Sequence, residues 1–265
     1  MKVVLFCGGL GMRLRDFSET IPKPMVNIGF RPILWHVMKY YAHFGYKDFI
    51  LCLGYKADVI KSYFRNYDES VSNDFILSSG NEITLLNSDI QDWNISFIDT
   101  GINANIGQRL KAVQPLLEGE GVFLANYTDG LTDLDLPTYV ADALRWGKTA
   151  SFLCVRPTQT FHVVSVRDEG VVSGIAPVTE SDVWINSGFF VLRPEIFDLI
   201  NEGEDLVVEP FRRLIKQEQL YAYKYTGFWT AMDTFRDKDR LDQMYASGDA
   251  PWEVWRQDRV VRPER

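Results

Sequence analysis

Histidine and cysteine are scarce in this chain, with three of each among 265 residues. His36, His43 and His162 stand far apart, and Cys7, Cys52 and Cys154 each lie in a separate apolar run. Residues so placed assemble no zinc spacing and no Ser-His-Asp or Cys-His arrangement. An odd number of widely spaced cysteines also argues against a disulfide framework and marks them as small buried hydrophobes. An excess of positive charge is missing too. Lys and Arg number 28 against 36 Asp and Glu, a formal charge of -8, which leaves no basic footprint for nucleic acid or an anionic membrane. The locally basic stretch from Arg256 to Arg265 reads as a solvated terminus. No apolar run approaches the ~20 residues that span a bilayer. Lys2 leads directly into a short strand and a glycine loop, not into a signal peptide, so the expectation is a cytoplasmic protein.

What is present is a regular alternation. Val3 to Phe6 is an apolar run closed by a glycine cluster, which reads as a buried strand. Ile33, Leu34, Val37, Met38 and Tyr41 recur at helical spacing up to Gly45. Strands follow over 48–53, 95–98, 122–127 and 151–155, with helices over 57–64, 106–117 and 137–146 between them. Strands separated by helices of this length form βαβ crossovers and hence a parallel sheet. Beyond residue 155 the pattern changes. Residues 161–167 and 171–175 flank Asp168-Glu169-Gly170, a hairpin signal. Further strands over 189–192 and 220–225 alternate with helices over 194–200, 208–217 and 234–245. The fold expected is α/β: a Rossmann-like, doubly wound mixed sheet over 1–155 with an α+β addition over 156–250 and a tail over 251–265. With no Pro/Ser-rich linker and no repeat, these form one continuous domain.

Two segments carry chemistry. Gly8-Gly9-Leu10-Gly11-Met12-Arg13-Leu14 follows the first strand. Its glycines let backbone N–H groups approach a phosphate, and Arg13 adds a fixed-charge fork. A tight strand-to-helix turn with a surface arginine explains the glycines equally well. Pro22-Lys23-Pro24 then sets one lysine between two prolines, in a segment expected to be non-helical. A lysine held stiffly near a glycine loop fixes a positive charge over a triphosphate.

Together the loop and Pro22-Lys23-Pro24-Met25-Val26 resemble the sugar-phosphate nucleotidyltransferases, whose fold is of the glycosyltransferase-A type. Pro32 to His36, Gly54-Tyr55-Lys56, Asp99-Thr100-Gly101, Arg109-Leu110-Lys111, Asp129-Gly130, Asn186 to Val191, Glu209-Pro210, Gly227-Phe228-Trp229 and Met232-Asp233-Thr234 are similar to the glucose-1-phosphate cytidylyltransferases within that group. The match runs from the first strand to Trp252. The resemblance implies transfer of a nucleotidyl group, with CTP favoured, to a phosphorylated small molecule, with loss of pyrophosphate. It assigns Mg2+ to Asp129 and Asp233, and catalysis to these two acids with Arg13 and Lys23. Phe6, Gly8, Gly9, Leu10, Gly11, Met12, Arg13, Lys23, Arg109 and Thr128 are expected at the nucleotide. Arg109, His162, Asn186, Glu209 and Trp229 are expected at the acceptor, and the relatives' assembly implies a homo-oligomer.

Asp129 suits its role on position alone, at the carboxyl end of a buried strand where open α/β sheets bind ligands. Asp133 and Asp135 precede Pro137 and read as helix caps. The acceptor half departs from the family. Where its members carry Glu-Lys-Pro at the end of the hairpin, this chain has Ser173-Gly174-Ile175-Ala176-Pro177-Val178. His162 and Val163 replace Gly and Ala, Thr128 replaces Gly, and Ser187 replaces Gly. The expectation is an acceptor other than plain glucose 1-phosphate: a modified sugar phosphate, or another small phosphate or phosphonate. A glycosyltransferase of similar build and a catalytically silent nucleotide-binding regulator are the alternatives.

Overall fold

The structure is a computed structural model that describes residues 1–9, 21–158 and 161–257. Its frame is one mixed sheet built from β1 (Val3–Phe6), β2 (Asp48–Leu53), β3 (Asn94–Asp99), β4 (Phe123–Tyr127), β5 (Ala150–Val155), β6 (Ile185–Asn186), β7 (Phe190–Leu192) and β8 (Leu220–Tyr225). β1 pairs in parallel with both β2 and β4, and β3 pairs in parallel with β2. β6 and β7 are two ends of one interrupted strand. β7 runs antiparallel between β4 and β5, and β8 lies parallel on the other side of β5. The second half of the chain therefore completes the sheet begun by the first.

Both faces of the sheet are covered. Along β1, Val3 and Leu5 enter one apolar cluster while Val4 and Phe6 enter another, as the two-residue period of a strand requires. Helices α1 (Ile33–His43) and α4 (Leu136–Trp146) pack on the first face, and α3 (Ile106–Ala112) and α5 (Glu209–Lys216) on the second. This burial on both sides is what favours a parallel arrangement. No helix among the described residues is long and apolar enough to cross a membrane. The three cysteines are buried and free.

Four local readings need correction, one being that the helix expected over 194–200 is a 3-10 helix, Pro194–Leu199. The helix expected over 106–117 is α3 followed by a 3-10 turn Gln114–Leu117, because Pro115 removes a donor and blocks the α-helical ladder. Lys23–Met25 forms a single 3-10 turn, since a proline in a first helical turn gives up an N–H that has no partner there. Asp135 takes the N-cap position of α4, but its carboxylate accepts from the Thr138 hydroxyl. Asp133 caps nothing and accepts from Tyr225 Oη at 2.5 Å and from the Phe228 amide at 2.8 Å.

Three antiparallel pairs escaped the sequence reading, one of them the short pairing of Asn27–Ile28 with Arg31–Pro32. Phe75–Ser78 and Glu82–Leu85 make an exposed hairpin. Gly130–Thr132 pairs with Trp229–Ala231 in a short ribbon, Ala231 opposite Gly130.

Candidate active site

The ribbon brings the two candidate metal ligands together. Asp129 precedes Gly130, Asp233 follows Met232, and the Met232 amide donates to the Asp129 carbonyl at 2.9 Å. Asp129 is delivered by β4. Asp233 is fixed by the start of helix α6 (Phe235–Ser247), where Thr234 and Asp237 form a reciprocal capping box. Asp237 Oδ2 also accepts from the Asp233 amide at 3.1 Å.

Lys23 joins them. Its Nζ donates to Asp129 Oδ2 at 2.6 Å and to Asp233 Oδ1 at 2.7 Å. Burial works against the ammonium, but the charges and hydrogen bonds of Asp129 and Asp233 outweigh it and hold Lys23 above its ordinary value. Residues 23, 129 and 233 thus form one cluster at the carboxyl edge of β1 and β4, where an open α/β sheet receives its ligand.

Arg109 lies against Gly8 and Gly54. Its guanidinium is buried and donates to Leu53 O at 3.0 Å, Thr100 Oγ1 at 2.7 Å and Ile102 O at 3.3 Å. Burial lowers its pKa. A Cβ on Gly8 would stand 2.0 Å from Arg109 Cζ, and one on Gly54 2.9 Å from Nη1. Glycine at these positions makes room for the arginine beneath the chain, a reason separate from phosphate approach. Thr128 is buried and its hydroxyl donates to the Phe6 carbonyl at 3.2 Å, so it ties β4 to β1. Leu10, Gly11, Met12 and Arg13 lie outside the described residues.

The acceptor candidates divide. Trp229 lines two adjoining cavities, of about 330 and about 710 Å³. The smaller also has Arg156, Thr179 and Tyr225 in its wall. The larger has Asn186, Asp233, Arg236 and Arg240. Neither cavity is lined by His162, Glu209 or Arg109. His162 is exposed on the hairpin opposite Pro177. Glu209 is half-buried in the first turn of α5, and its charge acts on Arg213. Arg156, Arg236 and Arg240 are absent from the residues expected at the acceptor. The signal for the last two was their recurrence four residues apart on the helix that follows Asp233. Ser187 fits without loss, because its buried hydroxyl donates to Leu153 O at 2.9 Å.

Asp129 and Asp233 fit a hard divalent ion. They offer carboxylate oxygens only, and are partly exposed at 31% and 39%. Magnesium characteristically takes one or two carboxylates and completes its shell with phosphate oxygens and water.

A doubly wound sheet with a lysine and paired acids at its open edge is the frame of a nucleotide-handling transferase. The Nucleotidyl transferase family matches residues 2–238, and the chain belongs to it. This chain is similar to the glucose-1-phosphate cytidylyltransferase of Salmonella typhimurium, 40% identical over 256 residues that cover 96% of this chain and 100% of the relative. It is also 39% identical over 256 residues to the glucose-1-phosphate cytidylyltransferase of Salmonella typhi, with the same coverage. The fold is shared with a UDP-glucose pyrophosphorylase solved with UDP-glucose, at a TM-score of 0.67 and 13% identity, covering 93% of this chain and 98% of that one. Membership sets aside the glycosyltransferase alternative: the protein is a nucleotidyltransferase.

Proposed function

We propose that the protein transfers the cytidylyl group of CTP to a sugar 1-phosphate or a related small phosphate, as a step of nucleotide-sugar biosynthesis in the cytoplasm. The cluster of Lys23, Asp129 and Asp233 carries this reading. The preference for CTP rests on the likeness to the two Salmonella cytidylyltransferases.

An acceptor phosphate oxygen attacks the α-phosphorus of CTP. The bond from that phosphorus to the bridging oxygen breaks, and pyrophosphate leaves. The attacking oxygen is already anionic at neutral pH, so the chain need supply no general base. Its work is positioning and neutralisation of charge. Gly8 and Gly9 amides, with Leu10, Gly11, Met12 and Arg13, receive the triphosphate, and Lys23 neutralises phosphate charge. The hydrogen bond between Thr128 and Phe6 ties β4 to β1 just ahead of these glycines, and Arg109 packs against Gly8. Asp129 and Asp233 would hold Mg2+, which supplies Lewis-acid polarisation of phosphate oxygens when bound.

The acceptor lies against Trp229 and Asn186, with Arg156, Arg236 and Arg240 as the cations in the cavity walls. This departs from the family's Lys on the hairpin, and it supports an acceptor that differs from plain glucose 1-phosphate. The chain also forms a homo-oligomer in this reading. The hairpin 75–85 sets Phe75 opposite Leu85 and Leu77 opposite Ile83, an apolar face left open to solvent. A lone two-stranded hairpin is marginal until such a face is covered.

The test is pyrophosphate release with Mg2+, each of the four common NTPs and a panel of sugar 1-phosphates and other phosphates. CTP with one acceptor is expected to dominate, with glucose 1-phosphate at least tenfold lower in kcat/KM. Comparable values for glucose 1-phosphate and every alternative overturn the acceptor assignment. Release that is indifferent to the base overturns the assignment of CTP.

A further inference from the structure

The Lys23 ammonium and a divalent ion want the same partners. Nζ stands within hydrogen-bond distance of one oxygen of Asp129 and one of Asp233, at 2.6 and 2.7 Å. One cation therefore bridges the two carboxylates that the proposed reaction gives to the metal. The lysine is the most enclosed of the three side chains, at 18% exposure against 31% and 39%. It closes the pair from the protein side, while both acids reach outward. Its backbone is held by the 3-10 turn between prolines, with the Met25 amide donating to Pro22 O at 2.8 Å and the Val26 amide to Lys23 O at 3.1 Å. A flexible four-carbon stem on a fixed base lets the ammonium swing without moving the chain.

We propose that Lys23 is the resident counter-cation of this carboxylate pair and that the incoming triphosphate draws it away. The ammonium passes from Asp129 and Asp233 to phosphate oxygens, and the pair becomes fully available to a divalent ion only as the nucleotide arrives. The inference rests on the reading of Asp129 and Asp233 as metal ligands. Its physical basis is competition. The two acids carry two negative charges, and the lysine returns one of them. A divalent ion placed beside the bound ammonium meets a like charge a few ångströms away, in a partly buried site where water screens poorly. A triphosphate offers the ammonium an alternative set of anionic oxygens, which removes that conflict. Coupling of this kind is reciprocal: whatever bound nucleotide adds to metal affinity, bound metal adds to nucleotide affinity.

The experiment is calorimetric titration of Mn2+ into the full chain without nucleotide. It compares wild type, Lys23→Met, Lys23→Arg, Asp129→Asn and the double variant Lys23→Met/Asp129→Asn. Lys23→Met is expected to bind Mn2+ at least tenfold more tightly than wild type. Lys23→Arg, which keeps the charge, stays with wild type, and the double variant loses the gain. Equal affinity in wild type and Lys23→Met overturns the proposal; a drop in Asp129→Asn then leaves the metal-ligand reading standing. A gain that survives in the double variant overturns both, because the added affinity then lies elsewhere. If Lys23→Met fails to melt cooperatively, Lys23→Gln serves in its place, being neutral and able to hydrogen-bond both acids.

Discussion

At the scale of single residues, charge and space at the site act together. Asp129→Asn removes one of the two charged oxygen ligands proposed for the metal, and kcat for pyrophosphate release is expected to fall by about 100-fold or more, in line with several kcal/mol of lost charge stabilisation. Retained turnover would put the metal elsewhere. Gly8→Ala places a methyl 2.0 Å from Arg109 Cζ. Overpacking of this sort costs roughly 1–3 kcal/mol, readable as a lower midpoint in urea unfolding. His36 provides a pH test away from the chemistry. It is buried, and the Trp252 indole donates to its Nδ1 at 3.3 Å, which leaves Nε2 protonated and donating to Ile28 O at 3.1 Å. Burial lowers its pKa from 6.5 to about 4. The unfolded chain binds the proton first, so this contribution to stability is complete above pH 6.5 and is lost as pH falls towards 4. The loss is on the order of 3 kcal/mol, and His36→Gln should flatten that limb of the stability–pH curve.

At the scale of elements, what could be read from the sequence depended on length and burial. β1, β2 and β8 emerge with their observed bounds, because four to six apolar or alternating residues between turn signals suffice for a pattern. The ribbon that unites Asp129 with Asp233 does not, for Gly130–Thr132 and Trp229–Ala231 are three residues each and pair across almost a hundred positions. No local period can announce such a pair. Asp129 was legible from its place at the end of a buried strand, its pairing with Asp233 came through the resemblance, and their joint bond to Lys23 was not legible at all. Arg109 and Thr128 show the opposite limit. Arg109 matches the family motif and Thr128 stands where the family has Gly, and the structure turns the polar atoms of both towards backbone carbonyls. The capping box of α6 is the element most closely coupled to the site. Asp237→Ala is expected to cost about 1 kcal/mol as a lost cap. It also frees the Asp233 amide, so Mn2+ affinity should weaken alongside thermal stability. A stability loss with unchanged metal binding would show that the cap does not steady Asp233.

At the scale of the whole molecule, the apolar hairpin 75–85 projects from an acidic protein of formal charge -8. Leu77→Glu combined with Ile83→Glu should reduce the mass seen in sedimentation while leaving the far-ultraviolet spectrum unchanged. A monomer in the unmodified protein would remove the basis for that expectation. The interrupted strand of β6 and β7 has a different consequence. Gly188 at φ +85 and Phe189 at φ +50 turn the chain so that it slots between β4 and β5, and the Phe189 amide donates to buried Asn126 Oδ1 at 2.8 Å. During synthesis, β4 must wait some sixty residues for this neighbour, with its open edge facing the crowded cell. A chain halted near residue 155 would hold Gly8, Gly9, Lys23 and Asp129, yet leave one edge of β4 unpaired where the middle of the finished sheet is to lie. Nascent chains of that length are therefore the ones expected to need a chaperone.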